Sequence, residues 1–88
     1  MDEPKVVRWM RRDFLKIIAE MLQVAKNGAK KTHILYQCNL SYRQNKKFLT
    51  FLLETGFLRI GNSYYTTEKG LRFLQTYQAL ELLLNTKN

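Results

Sequence analysis

Residues 40–56 read LSYRQNKKFLTFLLETG, and this run predicts one amphipathic helix with a cap at each end. Ser41 and Gln44 have the spacing of a capping box, in which each side chain bonds the backbone amide of the other residue. Gly56 readily adopts the left-handed conformation at which helices end. The apolar residues that recur at helical spacing, and so predict its buried stripe, are Leu49, Leu52 and Leu53.

The opposite face of this predicted helix is cationic and polar. Its residues are Arg43, Gln44, Lys47 and Thr50, with Lys46 on the flank. The sequence contains no acidic residue between Glu20 and Glu54. Arg and Gln side chains read base edges in the major groove, whereas Lys and Arg neutralise phosphates. The face therefore predicts a DNA recognition helix, in preference to the plain alternative of a solvated charged surface.

The positive charge of the chain is concentrated around this helix. Residues 26–47 carry six basic and no acidic side chains, whereas residues 1–25 carry five and four and residues 48–88 carry four and three. These segments account for the net charge of +8. Because an ordinary solvated surface mixes both signs, a localised basic block indicates an anionic partner.

The residues before the recognition helix predict two further helices. Apolar residues at helical spacing predict a first helix over about 5–26, with Pro4 in its first turn and Asn27-Gly28 at its end. Asp13 is an alternative N-cap for a shorter helix. A second helix is predicted over 31–38. Because only a brief turn at 39–40 separates it from the third, the pair predicts a helix-turn-helix.

The residues after Gly56 predict a hairpin and a last helix. Residues 57–60 and 63–66 are rich in strand formers, and Gly61-Asn62 between them predicts a two-residue hairpin turn of a primed type. Thr67 is the predicted cap of the last helix. The apolar residues at heptad spacing in that helix, which predict a dimer interface, are Phe73, Tyr77, Leu80 and Leu84. Packing of this seam within one chain is the alternative.

Two further clusters are candidate DNA contacts. Residues at the start of the second helix, where amides and cations could hold a phosphate or merely aid solubility, are Lys30, Lys31 and Thr32. Hairpin residues that would reach an adjacent groove, unless the hairpin has no contact role, are Arg59, Asn62, Ser63 and Tyr64. Together with Ser41, Arg43, Gln44, Lys46 and Lys47 of the third helix, they make up the predicted DNA-binding set.

Other chemistries find little support in the sequence. His33 and Cys38 are five residues apart and would not share a helix face, so a metal or nucleophile role is disfavoured. A single cysteine excludes an internal disulfide, and no motif for catalysis, a cofactor or a small-molecule ligand is present. No apolar run reaches the length of about 18 residues that a membrane span needs. The N-terminus lacks a signal-peptide pattern, so we expect a cytoplasmic location.

Two aromatic residues are open to two interpretations. Trp9 and Tyr42 could stack on bases, but burial is the favoured interpretation. Cys38 is expected to be a small core residue.

The run at 40–58, from LSY to GFL, and the segment YTTEKGLRFL at 65–74 resemble those of the small basic archaeal winged-helix DNA-binding proteins, some of which are grouped with chromatin proteins. The resemblance covers about residues 10–84. It implies a winged helix that dimerises through its C-terminal helix as an antiparallel coiled coil and binds DNA with modest sequence preference. It also implies DNA contacts by Ser41 to Lys47 and by the wing tip. Asn45, at a normally apolar position, and the non-heptad run Leu82 to Leu84 depart from that pattern.

We therefore expect a mostly α fold with a small β-hairpin, a winged helix-turn-helix with a long C-terminal dimerisation helix. A single domain over residues 1–88 would comprise the helix-turn-helix and wing at 1–66 and the dimerisation helix at 67–88. The expected function is binding of double-stranded DNA by a homodimer, without catalysis, in a nucleoid-associated or regulatory role. A sequence-specific repressor or activator is one alternative. The other is a winged helix that binds proteins only.

Overall fold

The computed structural model describes residues 12–85, which form four helices and one hairpin. The helices are α1 (Arg12–Val24), α2 (Lys31–Gln37), α3 (Tyr42–Glu54) and α4 (Glu68–Asn85), and the strands between α3 and α4 are β1 (Leu58–Ile60) and β2 (Tyr64–Thr66). Three helices, a hairpin and a last helix are the order of a winged helix. The predicted fold class, mostly α with a small β-hairpin, is confirmed. A single domain over 1–88 remains a prediction.

Helix α1 is shorter at its C-terminus than predicted. It ends at Val24, and Gly28, with a φ of +99°, reverses the chain three residues after Ala25. Asp13 lies inside its first turn and accepts a hydrogen bond from the neighbouring Phe14 N–H at 3.0 Å, so it is not the N-cap that we considered. The predicted part of this helix before Arg12, with Pro4, lies outside the described residues.

One main core holds the helix-turn-helix together. It combines side chains from α1, α2, α3 and β1, and its largest fully buried apolar members are Ile18, Met21, Leu22, Ile34 and Leu52. Leu40 is buried between α2 and α3. Asn39 immediately before it has a φ of 54°, a conformation that Asn tolerates better than most residues. This residue lets the turn stay short enough for Leu40 to enter the core.

Both predicted caps of α3 are present. The Ser41 hydroxyl accepts from the Gln44 N–H at 3.1 Å, and the Gln44 Oε1 accepts from the Ser41 N–H at 3.0 Å. At the other end Gly56 has a φ of +81°, and the Phe57 N–H donates to the Leu52 carbonyl at 2.9 Å. That bond, with the one from Gly56 N–H to Leu53 O, is the Schellman pattern that satisfies the last carbonyls of a helix.

The turn of the hairpin differs from the prediction. Ile60 pairs with Tyr64, so three residues, 61–63, form the loop, and the predicted two-residue primed turn is wrong. Such a turn needs positive φ, which neither Gly61 nor Asn62 adopts. Instead the Gly61 N–H donates to the Ser63 carbonyl at 2.8 Å, which draws Ser63 into the loop.

The wing is attached to the helices by the residues after α1. Ala29 and Tyr64 exchange two backbone hydrogen bonds, at 3.0 and 2.9 Å. The buried Thr66 hydroxyl donates to the Leu22 carbonyl at 2.7 Å. The ring of Tyr65 lies so close over Gly28 that a Cβ there would be 2.7 Å from it. The hairpin is therefore held against the helical core rather than projecting freely.

Helix α4 begins as predicted, but its seam is divided between two environments. The Thr67 hydroxyl caps it by accepting from the Gly70 N–H at 3.1 Å. Phe73 stacks on Phe57 with centroids 5.1 Å apart, and Tyr77 is buried in a second cluster with Ala19. These two members of the predicted dimer seam thus pack within their own chain. The leucines of α4 that stay exposed are Leu80, Leu82, Leu83 and Leu84.

Candidate nucleic-acid interface

The start of α2 brings the three predicted DNA-binding segments together. The Lys30 ammonium donates to the Asn62 carbonyl at 2.5 Å, which joins α2 to the tip of the wing. The next residue, Lys31, accepts a hydrogen bond at its carbonyl from Asn45 of α3, at 3.2 Å. Its ammonium lies 5.3 Å from the centroid of the Tyr42 ring. Residues 30 and 31 therefore place the wing tip and α3 beside the start of α2.

Helix α3 has the two faces that its sequence predicts. Asn45, Phe48, Leu49 and Leu52 are buried. The residues of α3 that are exposed on the other face include Arg43, Gln44, Lys46, Lys47 and Thr50. The Thr50 hydroxyl bonds back to the Lys46 carbonyl at 2.9 Å, whereas the three basic side chains extend from a part of α3 that has no acidic residue before Glu54. The exposed face of α3 is thus a positively charged ridge.

The capping box limits what Gln44 can recognise. A glutamine reads adenine through its carbonyl and its amide together. In this chain the Gln44 Oε1 already accepts from the Ser41 backbone, and the Ser41 hydroxyl is bonded to the Gln44 amide. A two-point contact with a base would have to share Oε1, which has a second lone pair, with the cap. The sequence predicts both roles of Gln44, and the structure contains the cap. Base contact by Gln44 or Arg43 stays a prediction.

The structure explains why the polar residue Asn45 occupies a position that is normally apolar. It is fully buried, and its Nδ2 donates to the Lys31 carbonyl. Its Oδ1 is buried without a hydrogen-bond partner among the described residues, so the Nδ2 bond alone compensates for burying this amide, and breaking it would leave both polar atoms unsatisfied. The hydrogen bond therefore sets how α3 lies against the start of α2, which is the relation that a helix-turn-helix must preserve.

The four wing residues have different environments. Arg59 is exposed and its guanidinium lies 4.5 Å from the centroid of the Tyr65 ring. Asn62 is exposed at the loop apex, and Ser63 is half-buried beside it. Tyr64 instead packs against the main core, which makes it poorly placed for the DNA contact predicted for it. The reason is strand alternation: Tyr64 shares a face with the buried Thr66.

Two tyrosines on the helix-turn-helix are more exposed than the sequence predicted. Tyr42, for which burial was favoured, is 70% exposed, and that interpretation is wrong. It is the first residue of α3, before the apolar stripe begins. Tyr36 of α2, which was not among the predicted site residues, is 78% exposed. The feature that could have identified it from the sequence is its position on the face of α2 that points away from Ile34.

The fold does not support a metal-binding or nucleophilic role for His33 or Cys38. His33 is exposed and Cys38 is buried. Burial, aided by the charge of Glu20, raises the pKa of the Cys38 thiol to about 11, which keeps it protonated and unreactive at neutral pH. Within residues 12–85 no group of three or more His, Cys, Asp or Glu side chains could hold a metal ion. Nor does that part of the chain contain a helix able to cross a membrane.

The helical core, the short turn before α3 and the attached hairpin define a winged helix-turn-helix. Comparison with known proteins agrees: a family model described as winged helix-turn-helix matches residues 11–85. The chain belongs to this family, whose fold supports DNA as a partner.

Two relatives come from the archaeon Methanocaldococcus jannaschii. The uncharacterized protein MJ0287 is 30% identical over 82 residues, which cover 91% of this chain and 84% of the relative. The uncharacterized protein MJ0290 is 34% identical over 77 residues, or 85% of this chain. The match covers 36% of MJ0290, so this chain corresponds to about a third of that longer protein. The resemblance to small archaeal winged-helix proteins is thereby confirmed.

Proposed function

We propose that this protein binds double-stranded DNA as a homodimer, with α3 of each protomer in a major groove. The observation that carries the proposal is the juxtaposition of α2, α3 and the wing tip around Lys30 and Lys31. It places the basic block of residues 26–47 on connected elements that a duplex could contact together. The role would be chromatin-associated or transcription-regulatory, with modest sequence preference, in the cytoplasm at the nucleoid.

Phosphate neutralisation would supply most of the affinity, because it dominates protein–DNA binding. The cations that α2 and α3 would contribute are Lys31, Arg43, Lys46 and Lys47. Lys30 is held by the wing and would act mainly by positioning Asn62. Arg43, near the N-terminal end of α3, would supply the base preference. No catalytic step is part of the proposal.

The exposed end of α4 supports dimerisation. Leu80, Leu83 and Leu84 are 46%, 73% and 61% exposed, and clustered large apolar side chains at a surface mark contact sites. Since Phe73 and Tyr77 are occupied within the monomer, the contact would use the last turns of α4. The same surface favours the second candidate function, a protein-interaction module whose partner covers these leucines.

A salt series on a mixed-sequence duplex tests DNA binding. Each phosphate neutralised contributes about −0.9 to the slope of log K against log salt. The four cations of α2 and α3 then give a slope of about −3.6 per protomer. Equal competition by any unlabelled duplex would identify a chromatin-like binder, and poor competition a sequence-specific regulator. Failure to bind at low salt would overturn the proposal and favour the protein-interaction function.

Dimerisation is tested by introducing charged side chains at the exposed C-terminal end of α4. We expect sedimentation equilibrium to give a dimer for the wild type and a monomer for Leu80→Glu/Leu84→Glu, because paired carboxylates cannot be buried cheaply in an apolar contact. The matched control is Gln75→Glu/Gln78→Glu, which adds the same charge at exposed polar positions of α4 and should remain dimeric. A monomeric wild type would contradict the prediction.

A further inference from the structure

The most unusual surface outside the basic ridge is a cleft between α2 and the start of α3. Its volume is about 450 Å³, and it is lined by Lys31, Thr32, Leu35, Tyr36 and Tyr42. The two tyrosines come from different helices, yet they border the same space. Each also exposes more than two thirds of its surface. Exposed aromatic rings around one concave site are typical of a binding surface rather than of a solvated helix.

The charge of this cleft indicates what kind of ligand it fits. Among the described residues no carboxylate lines it, and its walls belong to the acid-free stretch between Glu20 and Glu54. The Lys31 ammonium lies at the Tyr42 ring, 5.3 Å from the centroid. This cation lies over one face of the ring, so it can pair with a phosphate while the other face of the ring stacks on the attached base. Leu35 adds apolar surface, and the Thr32 hydroxyl adds a hydrogen-bonding group.

We infer that this cleft binds unpaired bases of a single-stranded nucleic acid, stacked on Tyr36 and Tyr42 with a phosphate near Lys31. Stacking requires a free base face, which the interior of a duplex does not offer. The ligand is therefore distinct from the intact double helix proposed for α3. Every base has such a face, so the site would accept many sequences. A frayed end, a melted segment or a free strand would all present it.

Binding of a fluorescently labelled oligothymidine, followed by anisotropy, tests the inference. We expect Tyr36→Ala and Tyr42→Ala each to weaken binding about 5- to 100-fold, since stacking on an aromatic ring contributes about that factor per base. Tyr36→Phe/Tyr42→Phe keeps both ring faces and should bind within a few-fold of the wild type. Tyr36→Leu/Tyr42→Leu keeps apolar area but removes the rings, and it should bind as weakly as the alanine variants.

Two comparisons keep this result separate from the proposed duplex binding. The Tyr36→Ala variant, which lies outside the stretch Ser41 to Lys47, is also measured on a blunt duplex, where we expect a much smaller loss. An oligouridine arm distinguishes RNA from DNA, and tight ring-dependent binding of either strand supports the inference. Circular dichroism establishes that each variant is folded, as the exposure of both rings leads us to expect. Wild-type protein that binds no single strand, or alanine variants that bind it as tightly as the wild type, would overturn the inference even if duplex binding is confirmed.

Discussion

Arg43→Ala/Lys46→Ala is expected to weaken duplex binding by about 10- to 100-fold while leaving the free energy of unfolding nearly unchanged. Both side chains are exposed, Arg43 opposite the buried residues of α3 and Lys46 on its flank, so their removal opens no cavity. A bidentate Arg–base contact contributes about 1–3 kcal/mol. The salt slope should also become shallower by about 0.9 for each phosphate that is no longer neutralised. Fluorescence anisotropy at several salt concentrations measures both quantities.

A charge-matched variant distinguishes the effect of the α3 residues on DNA affinity from the effect of the net charge of the protein. Lys16→Ala/Arg72→Ala also removes two positive charges, but from the exposed surfaces of α1 and α4. The Arg72 pair with Glu68 is long, at 3.5 Å, and exposed, so its removal costs little stability. We expect this control to lower affinity only slightly. Equal decreases in affinity for the two double variants would contradict a specific role for α3. Such a result would mean that the binding depends only on the net charge of the protein.

Gly70→Ala is expected to be the most destabilising conservative change in the described chain. A Cβ at this position would clash with the Phe57 carbonyl oxygen and lie 2.8 Å from the Thr66 methyl group. The first contact is with backbone, so β1 must move away from α4 to relieve it. Overpacking of this kind costs about 3 kcal/mol, more than the roughly 1 kcal/mol that alanine gains in helix propensity. The net loss of about 2 kcal/mol should lower the melting temperature in thermal unfolding by roughly 8–16 °C.

Gly61→Ala is the matched control. Its nearest neighbour, the Tyr65 ring, would lie 3.6 Å from the new Cβ, an ordinary contact, and the φ of Gly61 is not in the left-handed region. We expect its stability to change by less than about 1 kcal/mol. A melting temperature of Gly70→Ala close to that of the control would mean that β1 and α4 can separate easily. That result would contradict the tight junction between the wing and the last helix.

Much of the local structure was predictable because its determinants are close together in the chain. The capping box of Ser41 and Gln44, the stop at Gly56 and the apolar spacing of α3 each involve residues within a few positions. The same holds for Thr67, which caps α4 through the Gly70 amide. The hairpin turn was an exception: its tip is bonded to Lys30, 32 residues away, a contact that the local sequence does not indicate.

The candidate site was only partly predictable for the same reason. The sequence identifies the basic side chains, but it does not show that Tyr64 faces the core or that Tyr36 and Tyr42 border one cleft. Those outcomes depend on strand alternation relative to buried Thr66 and on the packing of α2 against α3.

By itself, the sequence determined the order of the elements, the ends of α3 and the location of the basic block, since helix caps, residue spacing and charge are properties of short segments. Only the tertiary structure decided which apolar side chains pack within the protein's own core. It packed the half-buried Phe73 and the buried Tyr77 within the monomer and left Leu80 and Leu84 exposed. The physical reason is that burial depends on which surfaces meet in space, and apolar spacing along a helix does not specify its partner.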